Sequence, residues 1–304
     1  ILNFQGAKPI LDMGSLSYEL YRVFYHVATT LSFSEASKQL FISQSAVSQS
    51  IKVLEKKLDQ PLFIRSTKKV QLTPEGEILL KHVEPAMNLI RKGEAQLLEA
   101  HSLKGGQLRI GASDTICRYY LVPYLQRFHQ EYPNVHIKVT NHTSIDCAKS
   151  LESGEVDFIV VNYPNSALTG DLSTRVINEF HDVFVANPEA FPLMGRRLTL
   201  AQLLKWPIMM LDRRSTTSEF LHHVFQQHQL DLAPEIELSS NDLLIDLARI
   251  GLGIAFVPDF CIPKDCPDLF ILDLEERLPA RQMMVVSSDY TPISQAARHF
   301  MDML

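Results

Sequence analysis

Apolar residues recur at helical spacing through the first hundred positions of the chain. Leu20, Val23, Phe24, Val27 and Leu31 mark one helix, with Ser17 placed to cap it. Ser34 is placed to cap a second, preceded by Phe33 and carrying Leu40 inside. After a short break at Ile42-Ser43, the residues Val47, Ile51, Leu54 and Leu58 form the stripe of a third helix, from about Ser43 to Leu58. Pro61 ends that region. Residues 62–72, LFIRSTKKVQL, read as two short strands around the basic turn Ser66-Thr67-Lys68-Lys69. Thr73-Pro74 starts a fourth helix, because proline at the first helical position loses no hydrogen bond. Its pattern runs to about Ser102, with Ile78, Leu79, Val83, Met87, Ile90, Leu97 and Leu98 on the apolar side, and with Pro85 and Gly93 where it can bend. A helix that long beside a small domain usually packs against a partner helix.

After Gly105-Gly106 strands and helices alternate. LRIGA, a helix over Tyr119–Gln130, VHIKVT, a helix over Asp146–Glu152 and VDFIVVN follow one another, the signature of an α/β fold with a parallel sheet. A second block repeats the theme: a strand at 207–211, a helix over Ser218–Gln229, IEL, a helix over Asp242–Ile250, and GIAFVP. RQMMVVSS and a helix from about Pro292 close the chain. The expected body is two α/β lobes, with crossings near 164 and 265. Lobe I then takes about 107–164 and 266–304, and lobe II about 165–265. The expected layout is a head at 16–73, a linker helix at 74–104 and the body at 105–304. Residues 1–15, ILNFQGAKPILDMGS, lack the basic start and long apolar core of a signal peptide and read as a leader or tag, with a native start near Met13 as an alternative.

Composition narrows the class. A chain of 304 residues suggests two domains, and 46% hydrophobic with 21% charged residues is a globular rather than a disordered balance. No apolar run approaches the roughly 20 residues that span a bilayer. Four cysteines without a CxxC fit a reducing, cytoplasmic setting. The net charge of −6 argues against nucleic acid until it is divided by segment. Residues 34–69 hold seven Lys/Arg against three acids, net +4, whereas residues 105–304 hold 16 against 25, net −9. Such asymmetry fits a nucleic-acid-binding head on an acidic body. The bland alternative is chance clustering, since many small domains are mildly basic.

The third helix keeps one face of small polar groups: Gln44, Ser45, Ser48, Gln49 and Lys52. A merely solvated face would serve as well with charges. The second and third helices have the spacing of a helix-turn-helix, whose second helix lies in the DNA major groove. Glutamine can bond adenine twice, and serine can bond several bases. Ser34, Ser43 and the helix N-termini suit phosphate oxygens, and the Lys68-Lys69 turn suits the backbone or the minor groove. The bland alternative is a helical hairpin used only for dimerisation.

These residues also carry a resemblance. Ala36, Leu40, Ser43-Gln44-Ser45-Ala46-Val47-Ser48, Ile51, Leu54-Glu55, Leu58, Pro61-Leu62-Phe63, Arg65 and Leu72-Thr73-x-x-Gly76 resemble the N-terminal domain of LysR-type transcriptional regulators. Three positions depart from that family: Ser45 where proline is common, Gln49 where arginine is common, and Asp59 where glycine usually ends the helix. The resemblance continues through Gln107-Leu108-Arg109-Ile110-Gly111, Leu121-Val122-Pro123, Phe128, Tyr132-Pro133, Leu151-x-x-Gly154-x-Val156-Asp157 and Gly251-x-Gly253-Ile254-Ala255-Phe256-Val257-Pro258. It implies an N-terminal winged helix-turn-helix domain, all-α apart from the wing, with a long linker helix, and a C-terminal α/β effector-binding domain similar to two-lobed periplasmic binding proteins. It also implies a homodimer to homotetramer on double-stranded operator DNA, a wing in which Arg65, Lys68 and Lys69 meet DNA, contact with RNA polymerase, and control by a small-molecule effector.

Candidate effector contacts follow from where α/β sheets bind ligands, at the carboxyl ends of strands where helix N-termini aim N–H groups outward. The loops with suitable chemistry hold Ser113 and Thr115, Thr143 and Ser144, and Thr216. Hydroxyls with helix N-termini suit a small carboxylate or other anion, and Arg118, Arg213 or Arg214 could supply the countercharge. The bland alternative is that Ser and Thr at these places are caps and that Arg213 and Arg214 are a solvated pair. Asp114 would oppose an anion and is expected to point away or cap. Other chemistry is weaker. Cys261-x4-Cys266 would make a redox-sensing regulator, with Lys264 as the one visible thiol-activating neighbour. The histidines lack metal spacing, there is no GxSxG or P-loop, and the GLG at 251–253 lacks a third glycine, so enzyme activity, a metal and a cofactor are all unsupported. A solute-binding protein with an unrelated helical leader and an enzyme on an α/β scaffold remain as rivals.

Overall fold

A computed structural model describes residues 16–65, 69–100, 106–263 and 265–304, and the chain divides into two compact units after Glu94. The expected leader at 1–15, Lys68, Lys264 and the Gly105 half of the glycine boundary lie outside the described residues, as does the side chain of Arg65.

The head comprises α1 (Tyr18–Thr30), α2 (Phe33–Leu40), α3 (Gln44–Leu58), β1 (Phe63–Arg65), β2 (Val70–Leu72) and the start of α4 (Pro74–Ala100). Ser17 caps α1 as expected, and Ser43 caps α3. The cap of α2 is Ser32, whose hydroxyl accepts from the Glu35 N–H, and Ser34 lies inside the first turn. The helix starts early because Phe33 is its first residue and packs edge-on against Phe63 at 5.9 Å. Asp59 ends α3 in the left-handed region at φ 52, its N–H donating to the Glu55 carbonyl. Phe24, Val27, Ala36, Leu40, Val47, Ile51 and Leu54 fill the core, with Val83 and Met87 of α4 packed on it.

Two polar residues weld the wing to the helices. One Glu55 carboxylate oxygen accepts from the N–H groups of Leu62 (3.0 Å) and Phe63 (3.3 Å). The Thr73 hydroxyl donates to the Pro61 carbonyl (2.7 Å) and accepts from the Gly76 N–H (3.0 Å). This geometry brings α4 so close that a Cβ on Gly76 would lie 2.3 Å from the Leu62 carbonyl oxygen.

The body begins with β3 (Gln107–Ala112), α5 (Asp114–Ile116), a π-helical turn over Cys117–Leu121, α6 (Val122–Glu131), β4 (His136–Asn141), α7 (Ser144–Glu152), β5 (Phe158–Tyr163) and β6 (Leu172–Phe180). It continues through β7 (Asp182–Ala186), β8 (Arg197–Leu198), α8 (Leu200–Leu203), β9 (Ile208–Leu211), α9 (Thr216–Gln227), β10 (Ile236–Leu238), α10 (Asn241–Arg249), β11 (Ile254–Pro258), β12 (Phe270–Ile271) and β13 (Asp273–Leu274). It ends with β14 (Arg281–Ser288) and α11 (Gln295–Met303). Two five-stranded sheets result, ordered β4-β3-β5-β14-β6 in lobe I and β10-β9-β11-β7-β12 in lobe II.

The lobes differ from the expectation in two ways. Each sheet is mixed rather than parallel, since β14 runs antiparallel to β5 and β6, and β7 antiparallel to β11 and β12. The crossings also move. β6 pairs with β14, so the chain leaves lobe I after Phe180 rather than near 164. β12 and β13 pair with β7 and β8, so it returns just before Arg281 rather than near 265. β6 lies at a sheet edge with most of its residues exposed, and LSTRVINEF therefore carries no apolar run to announce a strand. In lobe I the buried Asp157 accepts from the Arg109 backbone (3.0 Å) and guanidinium (2.9 Å), pinning the first strand.

Gly76→Ala should lower the stability of the head by about 1–3 kcal/mol, because the added methyl overpacks against backbone. Gly93, with nothing within 4 Å of a built Cβ, should tolerate alanine or gain up to about 1 kcal/mol. Thermal melts of the two variants check both signs.

Candidate functional site

The head presents its polar face on α3. Gln44, Ser45, Gln49 and Lys52 are exposed and Ser48 is half-buried, while Val47, Ile51 and Leu54 point into the core. Residues three and four apart share a helix face, so these five side chains form one surface. Ser43 is first a cap: its hydroxyl accepts from the Ala46 N–H (3.2 Å) and bonds the Ser45 hydroxyl (2.8 Å). Ser34 is exposed on the first turn of α2, and Lys69 is exposed at the end of the wing.

In the body a cavity of about 340 Å³ opens between the two lobes. Its walls are helix starts. Ser113, Thr143, Ser215 and Ser240 cap α5, α7, α9 and α10, each hydroxyl accepting an N–H of the first turn. The leading amides of such helices have no intrahelical partner and carry the positive end of the dipole.

Of the predicted effector residues, Ser113, Thr115, Thr143, Ser144 and Thr216 all line this cavity. Arg118 does not. It lies beyond α5 on an outer turn, over the Tyr119 ring, and its largely exposed guanidinium pairs with Asp242 at 3.3 Å. Arg214 does line the cavity, paired with Asp212 at 3.0 Å, and Arg213 is not among the lining residues. Asp114 lines it too, and the cap expected of it belongs to Ser113. The lobes are bridged on both sides of the opening. Asn241 donates to the Thr115 hydroxyl (3.0 Å), Tyr119 donates to Asp242 (2.5 Å), and Ser166 donates to Glu219 (3.0 Å).

The hydroxyls are not equivalent. Thr143 accepts from the Asp146 N–H and donates to the Asp146 carboxylate, both at 3.1 Å, so it is spent as a cap. Ser144 accepts from the Asn162 N–H (3.2 Å), Thr115 from Asn241, and Thr216 and Thr217 from Arg281 (3.0 Å each). The carboxylates are already compensated in part. Lys149, 2.7 Å away, holds the Asp146 carboxyl below its ordinary range against the opposing effect of burial, with help from Thr143. Arg214 does the same for Asp212.

Pattern reasoning missed Asn141, His142, Asn162, Ser240 and Asn241 on the cavity wall, while the loop it singled out over 213–217 brings Ser215, Thr216 and Thr217 there. Asn141 and Asn162 lie at the carboxyl ends of β4 and β5, where the rule that located Ser113 would also have found them. Arg281 and Asp182 gave no signal, being 99 residues apart.

The two cysteines of the redox alternative differ in setting. Burial, with the charges of Asp182, Asp242 and Asp259, pushes the Cys261 thiol well above its ordinary range. Cys266 receives an Arg249 N–H at 3.1 Å, a neighbour the sequence did not reveal. Among the described residues no group of three His, Cys, Asp or Glu is placed to hold a metal, and no helix is long and apolar enough to cross a membrane.

Comparison with known proteins finds relatives for both parts of the chain. Residues 18–77 match the bacterial regulatory helix-turn-helix protein family of the lysR type, and residues 101–304 match the LysR substrate binding domain. A probable RuBisCO transcriptional regulator of Synechocystis is 30% identical over 248 residues, 80% of this chain and 72% of its own length. A full-length OxyR variant of Pseudomonas aeruginosa superposes with a TM-score of 0.70 at 18% identity, covering 94% of each chain. Full-length CbnR complexed with its target DNA gives 0.65 at 16% identity, covering 94% of this chain and 98% of that one. The Synechocystis CcmR regulatory domain in complex with 2-PG gives 0.59 at 22% identity, covering 66% of this chain and 95% of that one. With a helix-turn-helix head and a two-lobed effector-binding body, this chain belongs to the LysR family of DNA-binding transcriptional regulators.

Proposed function

We propose that this regulator answers to a small anion, a carboxylate or phosphorylated carboxylate, held between the lobes by Ser113, Thr115, Ser144 and Thr216. The observation that carries this reading is the convergence of four capped helix starts on one cavity whose hydroxyls are bonded from behind. Such a wall offers hydrogen-bond donors and positive dipole ends, which suit oxyanions. A cavity of about 340 Å³ fits a compound of metabolite size. The 2-PG (2-phosphoglycolate) of the CcmR regulatory domain is the first compound to try. The protein acts by binding rather than catalysis, and effector can shift DNA binding only by holding one arrangement of the protein more tightly.

On the DNA side, Gln44, Ser45, Ser48 and Gln49 read base edges in a major groove, while Ser34, Ser43, Lys52, Arg65, Lys68 and Lys69 meet phosphates. Exposed Ile78, Leu89 and Leu97 on α4 give the apolar surface for a second copy, which makes a homodimer on a two-fold operator. Association to a tetramer and contact with RNA polymerase complete the reading.

Two measurements test it. Titration of the full chain with 2-phosphoglycolate in a calorimeter should show binding, and Thr115→Val should weaken it about tenfold, or about 1.4 kcal/mol. No heat with this or related small anions would remove the effector reading. In gel-shift titrations over salt, Lys69→Ala should weaken binding to all sequences alike and lower the salt slope by about 1. Gln44→Ala should instead relax preference at a single base position by about 1–3 kcal/mol. A uniform loss from both variants would remove the base-reading role of α3.

A further inference from the structure

We propose that Arg281 is a positioning residue for the effector site. It fills the acceptor side of the Thr216 and Thr217 hydroxyls from within the protein, so that both protons face the cleft and this wall receives only groups that accept hydrogen bonds. The inference rests on the proposed reading of the cleft as an anion site.

A threonine hydroxyl has one proton to give and lone pairs to receive, and ordinarily serves either kind of ligand. Here Arg281 removes the choice. Its guanidinium donates to Thr217 Oγ1 and Thr216 Oγ1, each at 3.0 Å, and a guanidinium has no acceptor to offer in return. Within a helix such a proton can turn back onto a carbonyl, as Thr29 and Thr30 of α1 do with Tyr25 and His26. Thr216 and Thr217 are the first two residues of α9, where that route is lost. Among the described residues neither proton has an acceptor. Both threonines are 3% exposed, so bulk water cannot readily serve them, yet both line the cavity. A ligand oxygen is the partner this geometry leaves open.

Arg281 does not reach the cavity itself. It is fully buried, paired with Asp182 at 2.8 Å and flanked by the rings of Phe180 (5.4 Å) and Phe220 (5.1 Å). Stability does not account for so costly an arrangement. Among the described residues Arg281 Nε and Asp182 Oδ1 lack partners, and apolar groups of similar volume often replace a buried ion pair without loss. The charge gains a reason from the threonines in front of it, because a cation behind two hydroxyls strengthens their attraction for an anion.

The test is calorimetric titration of the full chain with 2-phosphoglycolate, inorganic phosphate and sulfate, alongside thermal melts. The wild type should bind at least one of the three anions. Asp182→Leu with Arg281→Met should keep the melting temperature but lose at least tenfold in affinity, and Thr216→Val with Thr217→Val should lose as much. Arg281→Lys, which keeps a donor and the charge, should recover part of the loss. If the wild type binds and either double variant binds within twofold of it, Arg281 has no positioning role. If the first double variant unfolds, the threonine variant and the recovery by lysine decide. If the wild type binds none of the anions, this inference and the anion reading fall together.

Discussion

Arg281 and Asp182 can lie inside the body only because each neutralises the other, and their places along the chain make that pair a hinge. The chain leaves lobe I between Phe180 and Asp182 and re-enters it at Arg281. Arg281 lies opposite Phe180 in one sheet, and Asp182 lies opposite Pro258 in the other. Both crossings therefore run side by side, with the 2.8 Å Arg281–Asp182 bond between them and no side-chain surface of either residue exposed. Away from this line the lobes are joined by Asn241 with Thr115 and Tyr119 with Asp242, both partly buried, and by Arg118 with Asp242 and Ser166 with Glu219, both involving exposed groups. Exposed ion pairs contribute about 0–1 kcal/mol each, so Arg118 with Asp242 adds little to the hold between the lobes.

The head depends on an equally local constraint. A wing of two three-residue strands has little core of its own. Glu55 and Thr73 supply the anchoring, one receiving the backbone of Leu62 and Phe63, the other closing the Pro61 carbonyl against the start of α4. Glu55 belongs to α3, so the element carrying the polar face also fixes where the wing stands. The side chains facing solvent are then free to be amides and hydroxyls, because none of them is needed to hold the fold.

Much of this was legible in the sequence, and the failures share a cause. Helices with a buried stripe were found to within a few residues, since Val47, Ile51 and Leu54 repeat at the helical period whatever surrounds them. The second cap was misplaced by two residues because Phe33, apparently a residue before the helix, gains a tertiary partner in Phe63 and becomes its first turn. β6 was missed because an edge strand needs only one neighbour and few apolar residues. That omission moved the lobe boundary and hid the hinge. Arg118 was proposed as a countercharge for an anion, but it is not among the residues that line the cavity and pairs with Asp242 instead. Arg281 was invisible because its role is defined by residues 64 to 99 positions away.

An anion site proposed inside an acidic body looks contradictory until range is considered. The body carries nine more acidic than basic residues, but charges on its surface are screened over about 8 Å at physiological salt. Inside the cleft the balance differs. Asp146 and Asp212 are each held by a cation, and the wall beyond them carries Asp114 together with helix starts, amides and hydroxyls. A small ligand that fits within the cavity meets these donors at contact distance and feels little of the distant excess. The same charge asymmetry that made the head legible as a DNA-binding surface is thus compatible with the proposed anion site, because a ligand inside the cleft is judged by the groups that touch it.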